Sequence, residues 1–384
     1  MMNILLLGAS GSIGEQTIDI IKQYPKHFSL VAFSVGKRVH KIEQILKDFP
    51  TIKHICVQNK DDYERMLKQY PNIHFYYGDQ GLIDIILVSK PDMMVNALVG
   101  FVGFIPTVHA LKNNIDVALS NKESIVVGGS ILKEILKTST AKIYPIDSEH
   151  VAIDKCLKGN KKDVKKIILT ASGGSFRQLT REQLVGVSVE DALKHPSWSM
   201  GNKITIDSAT MMNKGFEMIE AHFLFDIPMN KIDIVLHDES KVHSLIECKD
   251  GSYVADIGPS DMRIPIAYAL FKKKRIAKPQ SKLELKDFMN FHFHEFDERR
   301  FPCVSYAKEA MKHGGTMPTV LNASNEEAVY AFLNKEISFL SIEVIIKRCM
   351  DSHRVIDNPT IEDIVYVDQL VRQQVKKLIK EGKI

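Results

Sequence analysis

The chain has 384 residues, 45% of them hydrophobic and 26% charged, with a formal net charge of +4. That length suits two or three domains with cores of their own. So small a net charge is too little to argue for nucleic acid as a partner, though it suits an anionic small molecule. Five cysteines (Cys56, Cys156, Cys248, Cys303 and Cys349) are far apart and form no CxxC pair. They read as reduced thiols of a cytoplasmic protein, neither a disulfide framework nor a zinc cluster. The opening "MMNILLLGASG" runs straight into a strand and a turn and does not read as a signal peptide. The longest apolar stretch, 93–108, contains Asn96 and Pro106 and is short for a membrane span.

In chain order, "NILLLG" reads as a buried strand, "SIGEQTIDIIKQY" as a helix, "SLVAFSV" as a strand, "HKIEQILKDF" as a helix and "HICV" as a short strand. "MMVNALVG" and "DVALSN" follow, each before a helix-like segment. This βαβ rhythm predicts an α/β fold: a Rossmann-like, doubly wound parallel sheet over residues 1–147. Over 148–271 the strand-like runs "KKIILTAS", "KITIDSA", "DIVLH", "VHSLIEC" and "SYVADIG" mix with fewer helices, as in an α+β domain. Residues 272–300 are polar and irregular and read as a linker, with "KKKR" on a solvated face rather than against nucleic acid. Within it, "FHFHEFDE" fits an edge strand with one polar side better than a metal-binding H-x-H. Residues 301–384 have helical periodicity throughout and predict a small helical bundle.

Four patterns carry chemistry. In "LLLGASGSIGEQ", Gly8, Gly11 and Gly14 sit between a strand and a helix, where glycines let the backbone approach a pyrophosphate. The spacing is G-x-x-G-x-x-G rather than G-x-G-x-x-G. About 20 residues on, where NAD-binding folds carry an acid, "FSVGKRVHK" offers Lys37 and Arg38, which suit the 2′-phosphate of NADP. In "IYPIDSEH", Asp147 and Glu149 are one residue apart; in extended geometry they share a side and repel unless a cation lies between them. "KITIDSATMMNKGFEMIEA" reads as a strand, a polar turn holding Ser208, and a helix on which Asn213, Lys214, Glu217 and Glu220 share a face, donors for a phosphate beside carboxylates for a metal. Two further stretches are ambiguous. "LTASGGSF" (Ser172 to Ser175) is a turn or an anion nest, and "KHPSWSMGNK", with His195, Trp198, Met200 and Gly201, is a buried loop anchor or a lid.

The motifs "GASGSIG", "NKES" (121–124), "DSEH" (147–150), "ASGGSF" (171–176), "HPSWSMG" (195–201), "SATMMNKG" (208–215) and "SDMRIPIAYAL" (260–270) together closely resemble the bacterial form of the 1-deoxy-D-xylulose 5-phosphate reductoisomerase family. The resemblance implies an NADPH-binding domain, a central catalytic domain, a C-terminal helical bundle and a homodimer. It implies conversion of 1-deoxy-D-xylulose 5-phosphate to 2-C-methyl-D-erythritol 4-phosphate, in the non-mevalonate route to isoprenoids. By the same resemblance Asp147, Glu149 and Glu217 are ligands of one divalent metal (Mg²⁺, Mn²⁺ or Co²⁺), and Lys122 and Ser148 contact substrate oxygens. Ser172, Ser208, Asn213 and Lys214 form the phosphate site, and His195, Trp198 and Met200 belong to a lid over the substrate. Ser10, Gly11, Ser12 and Ile13 form the pyrophosphate loop, Gly36, Lys37 and Arg38 the 2′-phosphate site, and Asn121, Glu123 and Gly201 further cofactor contacts. The expected partners are a small phosphosugar and a second copy of the chain, with neither nucleic acid nor membrane. The competing readings are another metal-assisted NADP-dependent hydroxyacid dehydrogenase, or decarboxylase, and a non-catalytic NADP sensor.

Overall fold

The structure, a computed structural model, describes residues 1–198, 200–276 and 281–382. Ser199 of the expected lid, residues 277–280 of the expected linker and the last two residues of the helical segment lie outside the described residues. The chain forms two compact units, the first from Met1–Ser124, Leu132–Ser148 and Asp261–Gln280, the second from Ile125–Ile131, Glu149–Ser260 and Ser281–Ile384.

The first unit is built on a seven-stranded parallel sheet. In chain order its strands are β1 (Met2–Leu7), β2 (Phe28–Ser34), β3 (His54–Val57), β4 (His74–Tyr77), β5 (Met93–Asn96), β6 (Asp116–Leu119) and β7 (Ile143–Pro145), and across the sheet the order is β4-β3-β2-β1-β5-β6-β7. A parallel strand covered on both faces is apolar without alternation, which is why Ile4, Leu5, Leu6 and Leu7 are all fully buried. The strand order reverses between β1 and β5, so the carboxyl ends of these two strands frame the crevice in which open α/β sheets take their ligands. β4 was not legible: "HFYY" is short and exposed at both ends. The helix Arg263–Leu270 returns to this unit and buries Ile266 and Leu270 in the core of β1, β2 and β5, although the linear division assigns it to the central domain.

The second unit has a five-stranded sheet of β8 (Val164–Ala171), β9 (Ile232–His237), β10 (Val242–Cys248), β11 (Tyr253–Ile257) and β12 (Phe293–Glu295), in the order β11-β10-β8-β9-β12. Only β8 and β9 are parallel. The helices Cys303–His313, Met317–Leu333, Ser341–Ser352 and Ile361–Lys380 share one continuous core with this sheet, running from Ile167 and Ile246 through Ile206 and Phe216 to Leu321, Ile345 and Val371. β12 is the edge strand expected within "FHFHEFDE", so the 272–300 segment is not wholly a linker.

Two local expectations are corrected. "KITIDSA" is not a strand: Asn202–Ala209 is a helix. Its I-T-I alternation mimics a strand, but Lys203 and Asp207 pair at 2.8 Å as an i, i+4 couple, a contact helical geometry provides. Ser208 therefore lies in the last helical turn rather than in a loop. Nor do Asp147 and Glu149 lie along an extended segment. β7 ends at Pro145 and a helix occupies Ser148–Leu157, so Glu149 stands in a first helical turn, where the helix dipole favours an acid.

Candidate active site

In the first unit, Gly8 follows β1 with φ +85°, and a Cβ there would lie 2.5 Å from the Ala97 carbonyl oxygen just past β5. Only glycine allows this approach. A Cβ on Gly14 would overlap the Gly8 carbonyl oxygen, so the turn lies tight against the helix Ser12–Gln23. Gly11 is that helix's N-cap and provides no side-chain cap. Ser10, Ser12 and Ile13 belong to the same turn, which leaves first-turn N–H groups available to an anion. Beyond β2, Gly36 is followed by Lys37 and Arg38, both exposed. Asn121 and Glu123 are buried. The Asn121 amide caps the helix Lys122–Thr138 through Ser124 N (3.0 Å) and donates to the carbonyls of Gly100 (2.8 Å) and Leu98 (3.1 Å), and it also donates to Glu123 (3.1 Å). These side chains fix the loop after β5. In the same unit the buried ammonium of Lys122 lies 2.9 Å from Asp147 Oδ2.

In the second unit, the helix Met212–Phe225 is buried over most of its length and brings the predicted polar residues to one face. Glu149 and Glu217 each place a carboxylate oxygen within 4.8 Å of the other. Lys214 lies between them: its Nζ is 2.8 Å from Glu149 Oε1 and also pairs with Glu217 Oε2. Burial pulls the Lys214 pKa down, but the charges of Glu149 and Glu217 and their hydrogen bonds outweigh it and raise the value above the ordinary lysine range. Lys214 thus neutralises Glu149 and Glu217, whereas Asp147 pairs with Lys122. Asn213 donates to Glu217 Oε1 at 2.6 Å. Behind the cluster, the fully buried His150 donates from Nε2 to the Glu217 carbonyl (3.0 Å), and its Nδ1 lies 3.3 Å from Glu220 Oε2. Glu220, 1% exposed, thus faces the His150 ring.

The hydroxyl groups come from two turns. Gly173 and Gly174 have φ +79° and +67°, and a Cβ on Gly174 would overlap the Ser208 carbonyl oxygen. The turn bearing Ser172 is thereby seated against the end of the helix Asn202–Ala209. Met211, at φ +62°, makes the sharp corner into the next helix, a conformation that costs a bulky residue about 1–3 kcal/mol and marks a constrained site. Ser172 Oγ lies 3.0 Å from His195 Nε2. His195 Nδ1 accepts from the backbone N–H of Trp198 (2.9 Å) and Ser197 (3.2 Å), so the proton is on Nε2 and points to Ser172. Burial, with Arg177 nearby, pushes the His195 pKa down to about 4. Met200 and Trp198 are half-buried, and Gly201 is the exposed N-cap of the following helix.

One residue of this region escaped sequence reasoning. His243, on β10, is packed with its ring centroid 6.5 Å from that of Trp198. Burial lowers its pKa, opposed mainly by the charges of Glu149 and Asp256. In "VHSLIEC" it is an alternating strand residue with no motif around it, so only the fold could have pointed to it.

Three family models match the chain: 1-deoxy-D-xylulose 5-phosphate reductoisomerase over residues 4–129, the C-terminal domain of the same enzyme over 143–225, and the DXP reductoisomerase C-terminal domain over 257–374. The chain is 49% identical over 370 residues to the 1-deoxy-D-xylulose 5-phosphate reductoisomerase of Macrococcus caseolyticus, covering 96% of this chain and 97% of the relative. It is 46% identical over 382 residues to 1-deoxy-D-xylulose 5-phosphate reductoisomerase 2 of Bacillus anthracis, covering 99% and 100%. Among solved structures, the Zymomonas mobilis reductoisomerase in complex with NADPH superposes with a TM-score of 0.90 at 35% identity, over 98% of this chain and 99% of the other. A DOX-P reductoisomerase in complex with NADPH, fosmidomycin and magnesium gives 0.93 at 37%, over 100% and 99%.

The His195 geometry has a pH consequence. Its native pKa is depressed, so the arrangement is undisturbed above the ordinary value of 6.5 and is progressively destabilised as pH falls from 6.5 towards about 4. Protonated Nδ1 can no longer accept from Trp198 and Ser197. Trp198 is the only tryptophan, so its emission should change as His195 titrates near pH 4 while far-UV circular dichroism stays constant. Emission that is flat from pH 7 to pH 4 contradicts the assignment.

Proposed function

The chain belongs to the 1-deoxy-D-xylulose 5-phosphate reductoisomerase family, and on that premise we propose how its residues convert 1-deoxy-D-xylulose 5-phosphate to 2-C-methyl-D-erythritol 4-phosphate with NADPH and a divalent metal. The observation that carries this reading is the buried ammonium of Lys214 against two carboxylates, with Asn213 on the same helix face. Anion-binding and cation-binding groups stand side by side, as a phosphorylated substrate chelating a metal requires.

The donors fit a hard cation. Glu149 and Glu217 already hold a positive charge between their oxygens, and with Asp147 they make an all-carboxylate set suited to Mg²⁺ or Mn²⁺. Held by these three carboxylates, a divalent metal would supply Lewis-acid polarisation of the substrate carbonyl for the rearrangement to a branched aldehyde. The first unit fits NADPH, the hydride donor to that aldehyde: Gly8 and Gly14 make a cradle with no room for a Cβ. Among the described residues, no ion pair engages Lys37 or Arg38, which leaves both for a 2′-phosphate.

The other residues position and enclose. Lys122 Nζ holds Asp147 and, with Ser148, donates to substrate oxygens. Lys214, with Asn213, Ser208 and Ser172, holds the phosphate. Binding energy from that remote group holds the reacting carbons in place. His195 presents Ser172 through Nε2–H, and Trp198 and Met200 pack over the carbon chain and exclude water. The chain acts in the cytoplasm; among the described residues, no helix is long and apolar enough to cross a membrane. It forms a homodimer, supported by the edge strand β11, which exposes Tyr253 and Ile257.

The direct test is NADPH oxidation on adding 1-deoxy-D-xylulose 5-phosphate, with and without a chelator. Turnover that the chelator abolishes and Mg²⁺ restores is expected, and turnover indifferent to the chelator overturns the reading. For the cofactor, a hydrogen bond to a charged group contributes about 1.5–3 kcal/mol. The variant Lys37→Ser/Arg38→Ser should therefore lose at least about tenfold in its NADPH over NADH preference, measured as the ratio of kcat/KM values. An unchanged ratio removes both residues from the 2′-phosphate site.

A further inference from the structure

The helix Asn202–Ala209 carries a buried charge pair that the chemistry above does not use. Lys203 and Asp207 are 6% and 2% exposed and pair at 2.8 Å. Asp207 Oδ1 accepts a hydrogen bond of 2.9 Å from Nδ2 of Asn325, a fully buried residue in the helix Met317–Leu333. Lys203 Nζ stands 5.4 Å from the centroid of the Phe216 ring, in the helix Met212–Phe225, immediately before Glu217. One short helix is thus tied to one neighbouring helix by a hydrogen bond and to another by a cation–π contact, and the residue after Asp207 is Ser208.

We propose that Lys203, Asp207 and Asn325 are positioning residues: they set the rotation and depth of the helix Asn202–Ala209 so that Ser208 meets the substrate phosphate in register with Asn213 and Lys214. The proposal rests on the reading of Ser208 as a phosphate ligand. Stability alone is a poor reason for the arrangement, because two buried ions lose their hydration and an apolar pair of equal volume commonly serves stability as well or better. What an apolar pair lacks is direction. The Asp207–Asn325 hydrogen bond and the Lys203 ammonium over the Phe216 ring hold the helix to its two neighbours, and the ion pair holds both side chains in place for these contacts. The Gly174 turn and the Met211 corner then leave Ser208 little freedom. Phosphate-binding groups lose their effect when displaced by a fraction of an ångström to an ångström.

The test compares kinetics on 1-deoxy-D-xylulose 5-phosphate and on its dephosphorylated form. Lys203→Met/Asp207→Leu should still fold, with a Tm lowered by the buried Asn325 amide that it leaves without an acceptor. It should lose about ten- to a hundredfold in kcat/KM on the phosphorylated substrate, chiefly through KM, and far less on the dephosphorylated one. NADPH affinity should be unchanged, and Lys203→Arg should keep most of the activity. Ser208→Ala separates the two readings. If it costs nothing on the phosphorylated substrate, the phosphate reading fails. If it raises KM while the double variant does not, the clamp alone fails. Equal losses on both substrates in the double variant also overturn the clamp. If the double variant does not fold, Asn325→Ala, which keeps the ion pair, decides: a KM rise confined to the phosphorylated substrate supports the clamp, and no rise overturns it.

Discussion

The ammonium of Lys214 between Glu149 and Glu217 is the contact on which the second unit's polar interior depends. Glu217 is 1% exposed and Lys214 4%. Leaving one such charge buried without its partner costs about 3–5 kcal/mol, a large share of the 5–15 kcal/mol by which a typical domain is stable. The surrounding geometry follows from keeping these charges together. The helix Met212–Phe225 turns its polar face to Glu149, His150 ties the Glu217 backbone from behind, and the strained Met211 brings the preceding helix up to the same face.

Charge and shape divide the work differently in the two units. At the end proposed for the nucleotide, Lys37 and Arg38 are exposed, so any attraction they have for a phosphate is screened by salt. There, shape does most of the work: Gly8 and Gly14 are required because the backbone approaches itself too closely for any side chain. Around Lys214 the charges are buried and screened little, and they satisfy one another until a ligand competes for them.

What was legible in the sequence was local chemistry at fixed spacing. The parallel sheet could be read from unbroken apolar strands such as "ILLL", and the helix face of Asn213, Lys214 and Glu217 from i, i+3 and i+4 spacing. The partner of that face, Glu149, 65 positions from Lys214, could not be read from spacing and was reached only through the family resemblance. "KITIDSA" misled because its alternation satisfies a strand, and the pairing that makes it helical only becomes visible once Lys203 and Asp207 are seen to be buried. His243 was invisible because its role depends on which strand passes Trp198. The return of Arg263–Leu270 to the first core was hidden for the same reason: an apolar helix does not name its unit.

The central claim is that the carboxylates neutralised by Lys214 are the metal site, so that lysine and metal compete for the same oxygens. Mn²⁺ titration followed by electron paramagnetic resonance, in the absence of substrate, tests this directly. Lys214→Met should bind Mn²⁺ at least as tightly as the wild type, because a competing cation is gone, and Glu217→Gln should bind it at least about tenfold more weakly. Weaker Mn²⁺ binding by Lys214→Met, or unchanged binding by Glu217→Gln, would contradict the account.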